Sequence, residues 1–328
     1  MNPIVSIIIP VYNNLQLLKI MIQSILDQDY SNWELLLIDD GSDLEVINEL
    51  QNYVNKDCRI RFVERNRDPK GAPTCRNIGF DLSNGEYIVF FDSDDYVASY
   101  CLSQRVAFME SHKNLDFAVF PAETFEINIG DGKQYFGVAP MAKRDDLRLF
   151  IIPDLPFVVW NNIYKRDSLK KYHIYWDEKL KSLQDSDYNI ECLLANLNYQ
   201  YVNVDVNIKP DYYYRVSTNN SISKNIVSIS HLDSHLYFYK KLIFSIKRKY
   251  HNKYDEVLRD RAIFYFKIML KANDKIECYF ESLYHIVSSF PRGRFLIFRM
   301  KLYRFLHKRV DLGKKGLIYS LISKILLY

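Results

Sequence analysis

In "YIVFFDSDDYV" (87–97) an apolar run from Tyr87 to Phe91 leads directly into Asp92, Ser93, Asp94 and Asp95, so three carboxylates crowd where a buried segment reaches the surface. Such a cluster is costly unless a cation or hydrogen-bond donors satisfy it. Hard oxygen ligands of this kind select Mg²⁺ or Mn²⁺, which keep several waters and take further ligands from substrate phosphates. Two earlier apolar runs also end in polar groups: "VSIIIPVYNN" (5–14) in Pro10, Val11, Tyr12 and Asn13, and "WELLLIDDGS" (33–42) in Asp39, Asp40 and Gly41. The chain has no G-x-x-x-x-G-K-[ST], and no G-x-G-x-x-G follows its first run, so neither a P-loop nor a dinucleotide fingerprint is present. Neutralising a diphosphate then falls to the metal and a few cations. Arg76 and Lys70, in "KGAPTCRNIGF" (70–80), are candidates, and a salt bridge to a sheet-edge acid is the alternative for Arg76.

The elements that must hold these groups follow from the pattern of apolar residues. Runs at 5–12, 33–42, 59–65, 86–95 and 116–124 are short, rich in Ile, Val and Phe, and not alternating, as expected of strands covered on both faces. Between them, 14–28 carries Leu17, Leu18, Met21, Ile22 and Ile25 at helical spacing, and 44–54 is similarly periodic. Alternating strand and helix signals predict an α/β fold with a mostly parallel sheet. In such a sheet ligands bind beyond the carboxyl ends of the strands, so three polar strand ends face one crevice. After about residue 125 the rhythm changes. Residues 128–137 suggest a hairpin or loop, 145–152 a short helix, 185–197 a longer helix, and 228–290 a helical region rich in Tyr and Phe.

The 328 residues, 48% hydrophobic and 26% charged, suit one large domain or a domain with an appendage. No apolar run approaches the ~18 residues that cross a bilayer, and "MNPIVSIIIPVYNN" lacks the features of a signal peptide, so a cytoplasmic, non-spanning protein is expected. The five cysteines, scattered and never in C-x-x-C spacing, argue against a disulfide framework and a zinc knuckle. The net charge of +4 conceals a division: residues 291–328 carry +9 and the rest −5. In "RFLIFRMKLYRFLHKRV" (294–310) apolar residues interleave with cations at roughly helical spacing. That pattern suits an anionic membrane surface at least as well as nucleic acid, and also a packed terminal helix with a solvated basic face.

"VSIIIPVYNN", "ELLLIDDGSD", the RN-x-G of Arg76, Asn77 and Gly79, and "GEYIVFFDSDD" occur in an order and at a spacing that resemble glycosyltransferase family 2, inverting GT-A enzymes that use nucleotide-activated sugars. The resemblance continues through "VVWNNIYKRDSL" (158–169) and "WDEKL" (176–180) and fades after about residue 215. It implies a GT-A fold, a Rossmann-like and mostly parallel sheet with flanking helices, followed by a mainly helical C-terminal region. Pro10, Tyr12 and Asn13 would border the nucleotide, and Asp40, with Asp39 as a possible companion, would accept from the uracil N–H of a UDP-linked donor. Arg76 and Ser93 would belong to the same donor site. Asp92 and Asp94 would form the D-x-D motif that holds Mn²⁺ or Mg²⁺, while Asp95 can equally cap the next helix. An inverting transfer also needs a carboxylate base. Family members place it in a Glu-Asp pair opening a later helix, where this chain has Gln184 and Asp185. Asp185 is the expected base and Asp187 its substitute, with Ser186 competing for the helix cap.

The expected organisation is a catalytic domain over 1–215, divided into a nucleotide-binding half (1–125) and an acceptor half (126–215), then a helical region (216–290) and a basic amphipathic tail (291–328). Expected partners are a nucleotide sugar, a glycan or lipid-linked acceptor in cell-surface polysaccharide synthesis, and the inner membrane face through the tail. Nucleic acid is not expected, and the sequence does not indicate an oligomeric state. Trp160, Asn161 and Asn162 stand where family members line a sugar pocket, and "DYYYR" (211–215) could stack on a sugar ring, although core packing accounts for both. His231 and His235 stand at i, i+4 without a third metal ligand, which favours packed or surface histidines. Two rivals remain. A silent sugar-nucleotide-binding protein is motivated by Gln184; a haloacid-dehalogenase-type phosphatase is opposed by Tyr96 and by the position of the acidic motif after three other strand signals.

Overall fold

The computed structural model describes residues 4–132, 134–141, 144–202, 208–216, 228–271 and 276–309, with the side chains of the last four left aside. It is an α/β structure that opens with strict alternation: β1 (Val5–Val11), α1 (Leu15–Leu26), β2 (Trp33–Asp39), α2 (Leu44–Lys56), β3 (Ile60–Glu64), α3 (Ala72–Leu82) and β4 (Tyr87–Phe90). The chain continues through β5 (Tyr96–Val97), α4 (Cys101–Ser111), β6 (Phe117–Val119), β7 (Ala122–Phe125), β8 (Tyr135–Phe136) and α5 (Asp146–Ile151). A 3₁₀ turn (Val159–Asn161), β9 (Asn162–Lys165), α6 (Arg166–Lys171), α7 (Gln184–Leu194), β10 (Tyr199–Tyr201) and β11 (Tyr212–Arg215) follow. Among the described residues four helices come last: α8 (Ile229–Tyr250), α9 (Asp255–Met269), α10 (Glu277–Ser288) and α11 (Gly293–Arg309).

Seven strands form the main sheet in the order β10-β6-β9-β4-β1-β2-β3. All pairs are parallel except those of β9, which runs antiparallel to both β4 and β6. A second sheet has the order β5-β11-β7-β8. The centre of the main sheet explains the absence of alternation. Ile7, Ile8 and Ile9 point to opposite faces in turn, yet all are fully buried. One face receives Leu18, Met21, Ile22 and Ile25 of α1. On α3, a Cβ at Gly79 would come within 2.4 Å of Ile8 Cγ2 and 3.3 Å of Ile38 Cγ1, so glycine sets how closely that helix approaches β1 and β2.

The run at 116–124 divides into β6 and β7, which lie in different sheets. Pro121 stands between them, where a residue without an N–H interrupts pairing. Residues 128–137 contain the return of a hairpin, with Ala122 opposite Phe136 and Glu123 opposite Tyr135. The antiparallel β9 was not foreseen, being only four residues long and set directly after a 3₁₀ turn.

The chain forms two compact units, residues 1–147 with 155–220, and residues 148–154 with 221–328. In the first, Arg105 of α4 and Asp211 form an ion pair with both side chains inaccessible to solvent. Two hydrogen bonds join them, at 2.9 and 2.7 Å, and Arg105 also donates to the carbonyls of Trp160 and Asn162. In the second, α8 to α11 enclose Phe238, Leu242, Leu258, Phe266, Leu283 and Val287. There Arg261 donates to the carbonyls of Phe150 and Ile151, and Tyr239 to that of Leu258. No helix among the described residues is long and apolar enough to cross a membrane. The tail beyond residue 309 lies outside the described residues.

Candidate active site

The first strand ends in two consecutive left-handed residues, Asn13 and Asn14, each at φ +53°, a conformation asparagine tolerates better than most residues. This turns the chain out of β1 and lets Asn13 clamp the next loop. Its N–H donates to Ser42 Oγ at 2.8 Å, and its Oδ1 accepts from the Asp43 N–H at 2.9 Å. At the end of β2, Asp39 is buried and accepts from the N–H groups of Gly41 and Ser42, so it shapes this turn. Asp40 Oδ1 accepts from Arg65 Nε at 2.7 Å and from the Gly71 N–H at 3.1 Å, while its Oδ2 makes no hydrogen bond to a described residue. Pro10 is half-buried at the strand end, and Tyr12 is 53% exposed, with Lys70 Nζ 3.9 Å from its ring centre.

Helix α3 joins this group to the acidic strand end. Cys75 Sγ lies 3.8 Å from Asp40 Oδ1, and the next residue, Arg76, reaches the other way. Buried to 6% exposure, Arg76 donates through NH2 to Asp92 Oδ1 at 2.5 Å and through NH1 to Gln184 Oε1 at 3.3 Å. Its guanidinium also lies 4.3 Å from the Trp176 ring centre. Arg76 does form a salt bridge, but to Asp92 at the end of the interior strand β4 and not to a sheet-edge acid. Asp92, Arg76, Gln184 and Asp185 thus gather at the C-terminal end of β4, although the acids are 93 residues apart. Lys181 supports this juxtaposition by donating from Nζ to the Lys70 carbonyl at 2.6 Å.

The three carboxylates of "DSDD" have different surroundings. Asp94 opens to solvent, its carboxylate accepting from its own backbone N–H and facing the charges of Arg215 and Arg76. Burial of its surroundings and the nearby Asp92 charge hold its carboxyl above the usual range. Ser93, between the two, is half-buried. Asp95 is buried and does not cap α4. Its Oδ2 accepts from the Tyr212 hydroxyl at 2.6 Å and its Oδ1 from the Arg215 N–H at 2.7 Å. Desolvation, then Asp94 and Asp92, push its pKa well up. Among the described residues no three His, Cys, Asp or Glu side chains converge on a metal position. The donor set at Asp92 and Asp94 still fits a hard divalent cation that takes its other ligands from phosphate oxygens and water. The mutual repulsion among these acids is what such a cation would relieve.

Asp185 stands in the first turn of α7, after Leu183 in the left-handed region at φ +62°. It keeps part of its surface open to solvent, whereas Asp187 is buried. Burial raises the Asp185 pKa to about 6, with Arg76 opposing the shift and Asp92 adding to it. That value suits a proton acceptor near neutrality.

Tyr212 and Arg215 had no sequence signal tying them to the acids. The Asp92 N–H donates to the Tyr212 hydroxyl at 3.2 Å, and Arg215 donates from Nε to the Asp94 carbonyl at 2.9 Å. Pairing of β11 with β5, Tyr212 opposite Val97, brings them there. Trp160 is buried, its ring nearly parallel to those of Tyr212 and Tyr214, while Asn161 and Asn162 are fully buried and bonded to Phe120, Val158, Tyr164 and Asn189. His235 is buried beside Tyr265, with its pKa lowered to about 4 chiefly by desolvation, and His231 bonds to Ser228. A separate groove of about 740 Å³ lies along α4, lined by Tyr100, Gln104, Phe108 and Lys209 among others.

The family model described as Glycosyl transferase family 2 matches residues 6–172. An uncharacterized glycosyltransferase of Haemophilus influenzae is 33% identical over 171 residues, which cover 47% of this chain and 67% of that one. The poly(ribitol-phosphate) β-N-acetylglucosaminyltransferase TarP of Staphylococcus aureus is 27% identical over 262 residues, covering 75% and 76%. Among solved structures, S. aureus TarS 1-349 in complex with UDP-GlcNAc has a similar fold, with a TM-score of 0.70 at 20% identity over 93% of this chain and 89% of that one.

Proposed function

The chain belongs to glycosyl transferase family 2, and on that premise we propose that it moves a sugar, with inversion, from a UDP-linked donor to a glycan or lipid-linked acceptor in cell-surface polysaccharide synthesis. The observation that carries this reading is the position of Arg76 between Asp92 and Gln184, which brings the acidic strand end and the start of α7 to one place. Asp185 acts as the base. Its carboxylate takes the proton of the acceptor hydroxyl as that oxygen bonds to the anomeric carbon and the bond to the diphosphate breaks. Asp92 and Asp94 would hold Mn²⁺ or Mg²⁺, whose charge stabilises the departing nucleoside diphosphate. Pro10, Tyr12 and Asn13 border the nucleotide, and the spare Oδ2 of Asp40 accepts from the base, with Asp39 fixing the turn. Arg76, Ser93, Lys70 and Arg215 surround the phosphates. Residues 1–215 form the catalytic domain in this reading, and the basic C-terminal part holds the protein on the inner face of the membrane.

The test is a panel of nucleotide sugars with Mn²⁺, read by thermal shift and by slow donor hydrolysis. A UDP-sugar should stabilise the protein and be hydrolysed; no stabilisation by any donor overturns the proposal. Gln184 in place of glutamate favours a second reading, a silent sugar-nucleotide binder. That reading requires Asp185→Asn to leave both donor binding and turnover unchanged.

A further inference from the structure

Asn77, next to Arg76 on α3, is buried, and its side-chain amide bonds both polar groups of one distant residue's backbone. Its Oδ1 accepts from the Trp176 N–H at 2.9 Å, and its Nδ2 donates to the Trp176 carbonyl at 2.9 Å. That is the pair of bonds a neighbouring strand would supply. Nδ2 also donates to Glu178 Oε1 at 2.8 Å, and Glu178 Oε2 accepts from Arg67 NH1 at 2.6 Å. The segment so held, residues 172–183, forms neither helix nor strand and leads straight into α7, where Asp185 stands in the first turn. Without a ladder of its own, such a segment is placed by the bonds and packing that its neighbours offer.

The far end of the segment is gripped by the adjacent residue of the same helix. Arg76 NH1 donates to Gln184 Oε1 at 3.3 Å, and Gln184 Nε2 donates back to the Leu180 carbonyl at 3.2 Å. The Trp176 ring joins the two grips. It lies 4.3 Å from the Arg76 guanidinium and stacks on Tyr188 of α7, with ring centres 4.5 Å and planes 26° apart. Two consecutive residues of α3 thus fix both ends of the segment that delivers Asp185. Gly79 in turn sets α3 against β1 and β2, so the frame of reference for both grips is the sheet. Among the described residues, the hydrogen bonds of the Asn77 side chain all land on this segment and none on the groups assigned to the donor.

We propose that Asn77 is a positioning residue for the transfer: through Trp176 and Glu178 it sets where Asp185 stands relative to the donor, while touching neither donor nor acceptor. The inference rests on the transferase reading above and extends it to a residue outside the donor site.

The test is hydrolysis, with Mn²⁺ and the full chain, of whichever of UDP-GlcNAc, UDP-glucose and UDP-galactose the wild-type chain hydrolyses fastest. Water then takes the acceptor's place, and rates are compared where circular dichroism shows each variant folded. Asn77→Ala should lower kcat about 10–10²-fold and leave KM for the donor within about twofold, the mark of lost alignment with binding kept. An unchanged kcat with only a lower unfolding temperature makes Asn77 a purely structural residue and overturns the proposal. A change confined to KM overturns it too, because the residue would then act on donor binding. Should Asn77→Ala fail to fold, N77D and N77D/E178Q decide. N77D keeps the size but sets a carboxylate against Glu178 and should slow turnover; adding E178Q returns a donor to that contact and should restore kcat several-fold. No restoration overturns the proposal. A wild-type chain that hydrolyses none of the three donors overturns the transferase reading and this inference with it, whereas an active wild type beside an Asn77→Ala chain of equal kcat overturns this inference alone.

Discussion

In the proposed role of base, Asp185 meets two opposed requirements: it has to be ionised to accept a proton, and its surroundings disfavour the charge. Transfer rate should therefore rise with pH through about 6 and level off above it, with initial rates across pH as the measurement. The stability effect has the opposite slope. Because the folded state holds this proton more tightly than the unfolded chain, the contribution of Asp185 is greatest below about pH 4 and declines as pH rises through about 6. Asp185→Asn should thus be more stable at pH 7 by about 1–2 kcal/mol in chemical denaturation, while turnover falls about 10²-fold or more with donor binding retained. Tyr212 makes a different prediction. Tyr212→Phe leaves the buried Asp95 without its 2.6 Å donor and should cost about 1–3 kcal/mol, with half-saturation by Mn²⁺ rising more than the maximal rate falls. The contrast marks what sequence can convey about a residue. Asp92, Asp94, Arg76 and Asp185 could be singled out in the sequence because they stand in short motifs. Asp95 was ambiguous because a carboxylate after a strand can cap, ligate or brace. Tyr212 and Arg215 were invisible in this role because their partners lie about 120 residues earlier.

Among the elements, the β1-to-β4 framework was read correctly because its strands are buried on both faces and its helices on one. What escaped was short or broken: β9, four residues placed antiparallel between β4 and β6, and the transfer of chain from one sheet to the other around Pro121. Neither has the length to establish a period. The tight α3 contact is also a property of pairs of elements. Gly79→Ala would force α3 away from Ile8 and should cost about 1–3 kcal/mol by urea unfolding, loosening the placement of Arg76 at the same time. Asp211→Asn should be worse, about 3–5 kcal/mol in the same assay, because it strands Arg105 as a buried charge at the junction of α4, β9 and β11.

For the molecule as a whole, two compact units with separate cores predict two calorimetric transitions. A UDP-sugar with Mn²⁺ should raise only the transition of the sheet-containing unit, by about 2.7 kcal/mol at a hundredfold excess over its dissociation constant; equal shifts in both would show that the units unfold together. The charge division sets the C-terminal part apart in composition, but does not tell that α11 buries Met300 and Tyr303 while Phe298 stays exposed. Sequence periodicity reports that a helix has an apolar side, and only its neighbours decide which apolar residues they cover. The β11 braces have one more consequence. On the ribosome, the D-x-D turn emerges about 120 residues before Tyr212 and Arg215, so at ~5–20 residues per second it waits roughly 6–24 s for its clamps. If the proposed donor site is right, a nascent chain halted before residue 212 carries every acid of the motif without the bonds that brace it, and donor binding should begin late in synthesis.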